Sequence, residues 1–303
     1  MKAAVFSRFG GPEVLEAAEV ATPVAGAGQV RVRVKAAGVQ PIDCAVRAGR
    51  TPPAMTPVPP AVPGNEFAGV VDQVGAGVTG LSTGAEVLGF GRLGGYAEYV
   101  VVPAEQVTAK PAGMPWEVAG GFSAAAQTAH ITLEELKVGA GDTLLVHGAA
   151  GAVGTVAVQL AVLSGATVIG TAREENHDHL RAFGAIPVRY GDGLAGRIRA
   201  AAPAGVDVVL DGAGGDALDL SLALVADRGR ILTLVEHGRA AELGIRTTPN
   251  LRSAARLAEL AGRYAQGRLR ILIRSTYPLE RAADAQREVE SGHGRGKVVI
   301  TVG

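Results

Sequence analysis

The chain has 303 residues, 48% of them hydrophobic, and its 29 lysines and arginines are balanced by 29 aspartates and glutamates, for a formal net charge of zero. That length exceeds the usual compact unit and predicts two domains, while the even charge balance excludes a broad attraction to nucleic acid or to an anionic membrane. A lone cysteine, Cys44, excludes an internal disulfide and any cysteine-rich zinc site.

The opening residues, MKAAVFSRFGG, lack the long apolar core of a signal peptide. No run approaches the roughly 20 apolar residues that span a bilayer, so the expected setting is soluble and cytoplasmic. The first hundred residues suggest a β domain punctuated by glycine and proline. In QVRVRVKAAG, Val30, Val32 and Val34 alternate with Arg31, Arg33 and Lys35, the period of a strand with one wet face. EFAGVVDQVG, AEVLGF and YAEYVVVP repeat the strand signal between glycine turns. TPPAMTPVPPAVPG, Thr51 to Gly64, cannot be a regular element, because each proline fixes φ and lacks a donor. It is expected to be an ordered loop or the wall of a cleft, with a flexible linker as the alternative.

From about Trp116 strands and helices alternate. TLLVHG, TVIGTA, VDVVLDG and RILTLV have strand character, and TVAVQLAVLSG and DALDLSLALVA have helical character. That order specifies a parallel sheet with helices on both faces. NLRSAARLAELAGRYAQG is expected to be an amphipathic helix with Leu251, Ala254, Leu257, Leu260 and Ala261 on its inner face. EHGRAAELGIRTTPN, before it, is expected to include an edge strand. The tail from Leu269 contains strand, helix and strand and is expected to complete the first domain. The expected division is 1–115 and 267–303 for that domain, with 116–266 between them.

The sharpest local signal is VHGAAGAVGTVAVQLA, where Val146 ends a strand, Thr155 opens a helix, and Gly148, Gly151 and Gly154 fill the turn. Ala149, Gly151 and Gly154 occupy the three small-residue positions of a dinucleotide fingerprint. Gly151 would admit a pyrophosphate to the backbone, and Gly154 would let helix and strand pack closely. Together with Ala152 and Val153 they form a candidate phosphate site at a helix N-terminus; a tight turn without a ligand is the plain alternative. The next strand ends in Thr171-Ala172-Arg173, where an NAD site usually carries an acid. Arg173 could instead pair with a 2′-phosphate, which favours NADP(H) over NAD(H). Glu174 and Glu175 oppose this if they face the phosphate, and an exposed loop charge is the alternative for Arg173.

Seven segments, in order, resemble one family: KAAVFSRFGGPEVL, VRVKAAGVQPID, PGNEFAGVV, LGGYAEYVVVP, VHGAAGAVGTVAVQLA, VDVVLDGAGG and ESGHGRGKVV. They are similar, along almost the whole length, to the zinc-free quinone oxidoreductase (zeta-crystallin-like) branch of the medium-chain dehydrogenase/reductase superfamily. The resemblance implies an α/β architecture: a GroES-like β domain plus a doubly wound Rossmann domain, with the cofactor in the cleft between them. It also implies hydride transfer from NADPH to a quinone or an α,β-unsaturated carbonyl, in a homodimer that extends one sheet across its two-fold axis.

Zinc-dependent relatives carry a cysteine where this chain has Gln40 and a histidine-glutamate pair where it has Asn65-Glu66. Carboxamides are poor zinc ligands, and of the six histidines only His177 and His179 are close in sequence, so no zinc is expected. The resemblance places Gln40, Asp43 and Ala45, with Thr128, near the nicotinamide, where Asp43 orders its loop more often than it acts as an acid, and Asn65 is a candidate catalytic-site residue at the altered ligand position. Gln40 stands where the family usually has asparagine, and Ala45 where it often has tyrosine, so the acceptor pocket should differ from the norm. Tyr190, Gly212, Gly214, Val235 and Lys297 are carried over as cofactor contacts; the alternatives are surface packing for Tyr190, a plain turn for the two glycines, core for Val235 and an exposed charge for Lys297. His130 is a candidate pocket donor, and Cys44 a small residue of the pocket wall. An enoyl or alkenal reductase, or a cofactor-binding sensor or structural protein with little catalysis, are the competing functions.

Overall fold

In the computed structural model, which describes every residue except His293, the valine alternation forms the strand Gln29–Val39. Val30, Val32 and Val34 are fully buried while Arg33 is exposed. This strand is the spine of a seven-stranded sheet. Along the sheet lie Ile273–Pro278, Lys297–Thr301, Gln29–Val39, Glu66–Val74, Glu86–Phe90 and Val107–Ala109, and Tyr99–Pro103 also pairs with the spine. Only the two C-terminal strands pair in parallel; the other pairings are antiparallel. The tail thus enters the sheet next to the spine. The core joins alternate residues of these strands, among them Phe67, Val71 and Ile300, to Leu279, Ala282 and Ala285 of the C-terminal helical segment.

The second sheet has six strands, all parallel, in the order Ile186–Arg189, Thr167–Ala172, Thr143–His147, Val208–Asp211, Ile231–Thr233, Arg246–Thr247. The chain starts in the middle, winds to one edge and restarts on the other side, which is the doubly wound Rossmann arrangement. Leu145, Ile169, Val209 and Ile231 are buried on adjacent strands, as the continuous apolar runs of a sheet covered on both faces require.

The chain divides into Met1–Ala124 with Ser253–Gly303, and Ala125–Arg252. The first division therefore falls after Trp116, and the helix Ala254–Ala265 belongs with the β unit rather than with the parallel sheet. In that helix Leu257, Leu260 and Ala261 are buried, as expected, but Leu251 lies ahead of it and is half exposed. The reason is a cap. Ser253 accepts a hydrogen bond from the Arg256 N–H at 3.2 Å, and this starts the helix at Ala254. The edge strand expected before this helix is Arg246–Thr247, exposed at both residues. At the opposite edge, Ile186–Arg189, Pro187 interrupts the strand; a sheet edge tolerates the missing donor. The proline-rich loop is ordered by its own threonines, with the Thr51 and Thr56 hydroxyls 2.9 Å apart.

Candidate functional site

In the Rossmann unit the phosphate turn differs from expectation in one respect. The helix spans Ala152–Leu163, with Gly151 as its extended N-cap, so Gly154 lies inside the first helical turn rather than ahead of it. Gly148 takes the left-handed conformation, φ +71°, that turns the chain back. A Cβ on Gly154 would overlap the Gly148 carbonyl and stand 2.7 Å from the Ala149 Cα. Glycine here is a packing requirement, because helix and strand touch backbone to backbone.

Gly151, Ala152 and Val153 are partly open to solvent. The helix has no side-chain cap and no acid in its first turn, so its first N–H groups and positive dipole end are free to meet a phosphate. The residues present therefore fit a dinucleotide pyrophosphate. Arg173, after the second strand, donates from Nε to the Tyr190 hydroxyl at 2.8 Å, and Glu175 lies 3.9 Å from its Nη1. These two candidate residues are thus brought together, both substantially exposed at neighbouring strand ends.

Gly212 is exposed, Gly214 is buried with φ +71°, and Val235 is 51% exposed. What shapes their loops is a pair of buried residues, Asp211 and Thr233. Asp211, fully buried, accepts from the Ala213 and Gly214 N–H groups and from the Thr233 hydroxyl. Thr233 in turn accepts from the Val235 and Glu236 N–H groups. A second such group is His147, whose ring nitrogens lie 3.2 Å from Thr171 Oγ1 and 3.1 Å from Ser221 Oγ. Burial lowers its pKa to about 4, so the ring is neutral and bridges two hydroxyls. Thr128 and His130, both partly buried, lie on the helix Ser123–Glu135, where His130 Nδ1 is 3.9 Å from Glu134 Oε2.

In the β unit, Pro41–Arg47 forms a short helix with Gln40 as N-cap, and the Asp43 carboxylate accepts from the Gln40 N–H at 2.9 Å. Proline at the first helical position needs no donor, which is why VQPIDCA turns helical immediately after the spine strand. The same Asp43 oxygen accepts from the buried Tyr96 hydroxyl at 2.9 Å. The Gln40 side-chain amide donates to Glu66, a fully buried acid whose Oε1 also lies 2.7 Å from the Lys297 ammonium. Glu66 Oε2 accepts from the Ala124 N–H at 2.6 Å. Thus Gln40, Asp43 and Lys297 join one buried network centred on Glu66, while Ala45 and Asn65 remain partly exposed beside it. In the sequence Glu66 keeps the acid of the zinc-dependent pair, and only its neighbour Asn65 stands at an altered ligand position.

Cys44 points elsewhere. It is 2% exposed, its Sγ is 3.8 Å from the Gln286 carbonyl, and burial pushes its thiol up to about 12. The thiol packs against the helix Ala282–Glu290 and is inert at neutral pH.

Burial raises the Asp43 pKa to about 7, against the pull of the Tyr96 and Gln40 hydrogen bonds and of Lys297, and with Glu66 adding to the rise. A carboxylate whose folded pKa exceeds its unfolded value binds the proton more tightly when folded. Stability therefore falls as pH climbs from about 4 to about 7 and levels off above. Asp43→Asn keeps an oxygen for both donors and removes the charge. It should gain on the wild type by up to ~4 kcal/mol over that window. Paired thermal melts across pH check this, and a constant gap between the two proteins would refute it. Comparing the pair cancels the opposite slope that His147 contributes between about 4 and 6.5.

Comparison with known proteins adds to this geometry. Residues 26–112 match the alcohol dehydrogenase GroES-like domain, and residues 187–300 match the zinc-binding dehydrogenase family. The chain is 30% identical to the quinone oxidoreductase of Sus scrofa, over 97% of this chain and 95% of that protein. It is 36% identical to the pikromycin polyketide synthase component PikAII of Streptomyces venezuelae over 91% of this chain, a match that spans 8% of that much longer protein. The structure of Escherichia coli quinone oxidoreductase complexed with NADPH superposes with a TM-score of 0.88 at 27% identity, covering 99% of this chain and all of that one. Among the described residues no group of three or more histidines, cysteines and acids is placed to hold a metal ion, and no helix is long and apolar enough to cross a membrane.

Proposed function

The chain belongs to the quinone oxidoreductase branch of the medium-chain dehydrogenase/reductase superfamily, and from that premise we propose that it transfers a hydride from NADPH to a quinone or an α,β-unsaturated carbonyl without zinc. The observation that carries the cofactor half is the uncapped helix N-terminus at Gly151. Gly151, Ala152, Val153 and Gly154 hold the pyrophosphate, and Gly212, Gly214 and Val235 lie along the dinucleotide's path. Arg173 and Tyr190 receive the 2′-phosphate. The bound nicotinamide supplies the hydride; the protein's part is to orient it and to leave room for the acceptor, which Ala45 does by lacking an aromatic side chain.

The zinc-free half rests on the donor set. Carboxamides occupy positions 40 and 65, and the Glu66 carboxylate is already engaged by Lys297, Gln40 and Ala124. A metal would have to break that pair to gain one oxygen. The purified protein should consume NADPH when offered quinones and enones, at a rate EDTA leaves unchanged. Loss of rate on chelation would remove the zinc-free reading, and no turnover on any acceptor would remove the reductase itself.

Cofactor choice has its own test. Arg173→Ala should raise KM for NADPH by about 10- to 100-fold, the worth of a charge-assisted bond, and leave KM for NADH where it was. Equal changes for both would mean that Arg173 does not meet the 2′-phosphate. The match to a polyketide synthase component favours a second reading, reduction of a conjugated enone intermediate of a biosynthetic pathway. Enones would then be turned over well and simple quinones poorly. The exposed edge strand Arg246–Thr247 supports a homodimer in which that edge pairs with its copy.

A further inference from the structure

Buried ion pairs are a poor source of stability, because apolar side chains of similar volume are often as good or better. The Glu66–Lys297 pair is 0% and 2% exposed at its side chains, and the surrounding backbone is shaped around it. A Cβ on Gly38 would overlap Glu66 Oε1 and stand 2.8 Å from Lys297 Cε, and a Cβ on Gly121 would stand 2.8 Å from Lys297 Cγ. Two glycines therefore make room for charges that stability alone does not call for. The two carboxylate oxygens are assigned different tasks. One takes Lys297 and the side-chain amide of Gln40; the other takes the Ala124 N–H in the first turn of the helix Ser123–Glu135. Thr128 stands one turn further along that helix.

We infer that Glu66 is a positioning residue of the reductase: its carboxylate, neutralised by Lys297, fixes the Gln40 amide with one oxygen and the start of the Thr128 helix with the other, so turnover depends on its having two acceptor oxygens. This rests on the hydride-transfer reading above. It changes the role of Gln40. An amide that donates to Glu66 is held in place by the protein, and the pocket is shaped by Gln40's fixed side chain rather than by a swinging donor. Lys297, by the same geometry, serves Glu66 with its charge.

The test uses the full chain with Glu66→Gln, Lys297→Met and the two combined. Glu66→Gln alone strands a buried ammonium and lowers the melting temperature, so it cannot separate structure from function. The combined variant removes both charges and keeps the volume. Its melting temperature should lie within about 3 °C of wild type, and its Kd for NADPH, read from cofactor fluorescence, within about threefold. Glutamine offers one acceptor where glutamate offers two; the Ala124 N–H can only donate and keeps that oxygen, so the Gln40 amide faces an NH2 group and loses its acceptor. We expect kcat to fall by about 10- to 100-fold with KM for the acceptor little changed, the pattern of misplaced groups rather than lost binding.

Gln40→Asn shortens the arm by one methylene and should lower kcat similarly in the wild type, but add little to the combined variant, since both break the same link. Recovery of kcat together with melting temperature in the combined variant overturns the inference, as does full additivity of Gln40→Asn. A wild type that binds NADPH but reduces no quinone or enone brings down the functional reading, and this inference with it.

Discussion

Gly154→Ala is expected to weaken NADPH binding at least tenfold and to cost the Rossmann unit about 1–3 kcal/mol. The added methyl meets backbone rather than a flexible side chain: the Gly148 carbonyl, and the Ala149 Cα and carbonyl carbon at 2.7 and 2.9 Å. Relief requires moving the helix away from the strand. That movement carries the first-turn N–H groups off the phosphate position, so stability and affinity fall together. Gly196→Ala and Gly262→Ala are the controls. Both are helical glycines with no heavy atom within 4 Å of a new Cβ, and both should be neutral or stabilising by up to about 1 kcal/mol. Cofactor fluorescence titrations and thermal melts of the three variants decide the matter. If Gly154→Ala behaves like the controls, the close helix–strand approach is not what the glycine serves.

Glu290→Ala should destabilise the β unit by about 3–5 kcal/mol, the cost of leaving a buried charge uncompensated. Arg47 is 0% exposed, its Nη2 pairs with Glu290 Oε1, and its Nε and Nη1 have no partner among the described residues. Removing the acid therefore strands a guanidinium that water cannot reach. The reverse substitution is not symmetrical. Arg47→Met leaves Glu290, whose side chain is 26% exposed and has Arg50 at 3.5 Å, with both water and a cation. It should be neutral or mildly stabilising. The single tryptophan, Trp116, lies in the same unit and reports its unfolding in urea. Equal losses from Glu290→Ala and Arg47→Met would show that the cost lies in packing rather than in the unpaired charge.

Arg47 also shows where reading along the chain stops. It stands three residues from Cys44, which by itself is no argument for a lowered thiol pKa. In the fold its charge is taken up by Glu290, and burial dominates the thiol instead. Gln40 is similar. A carboxamide at a lost zinc-ligand position invites a role toward the acceptor, yet its amide meets Glu66, 26 residues on. Lys297 sits in an unremarkable GRGK run near the end of the chain, and nothing in that run announces that it is among the most deeply buried side chains.

The features legible in the linear chain are those whose cause is local. Valine alternation makes a one-sided strand, because successive side chains point to opposite faces. Glycines between a strand and a helix make a phosphate turn, because only they permit the required φ and the close approach. The alternation of strand and helix implies a parallel sheet, because a parallel crossover needs a helix's length of chain. From such causes the sequence by itself determined the two kinds of sheet and the place of the glycine turn between strand and helix.

The tertiary structure alone decided which polar groups are buried and with whom. Glu66, Gln40, Ala124 and Lys297 are far apart in the chain and meet only because Lys297–Thr301, Gln29–Val39 and Glu66–Val74 are neighbouring strands. Burial sets the worth of a charge, and burial is a property of the whole fold.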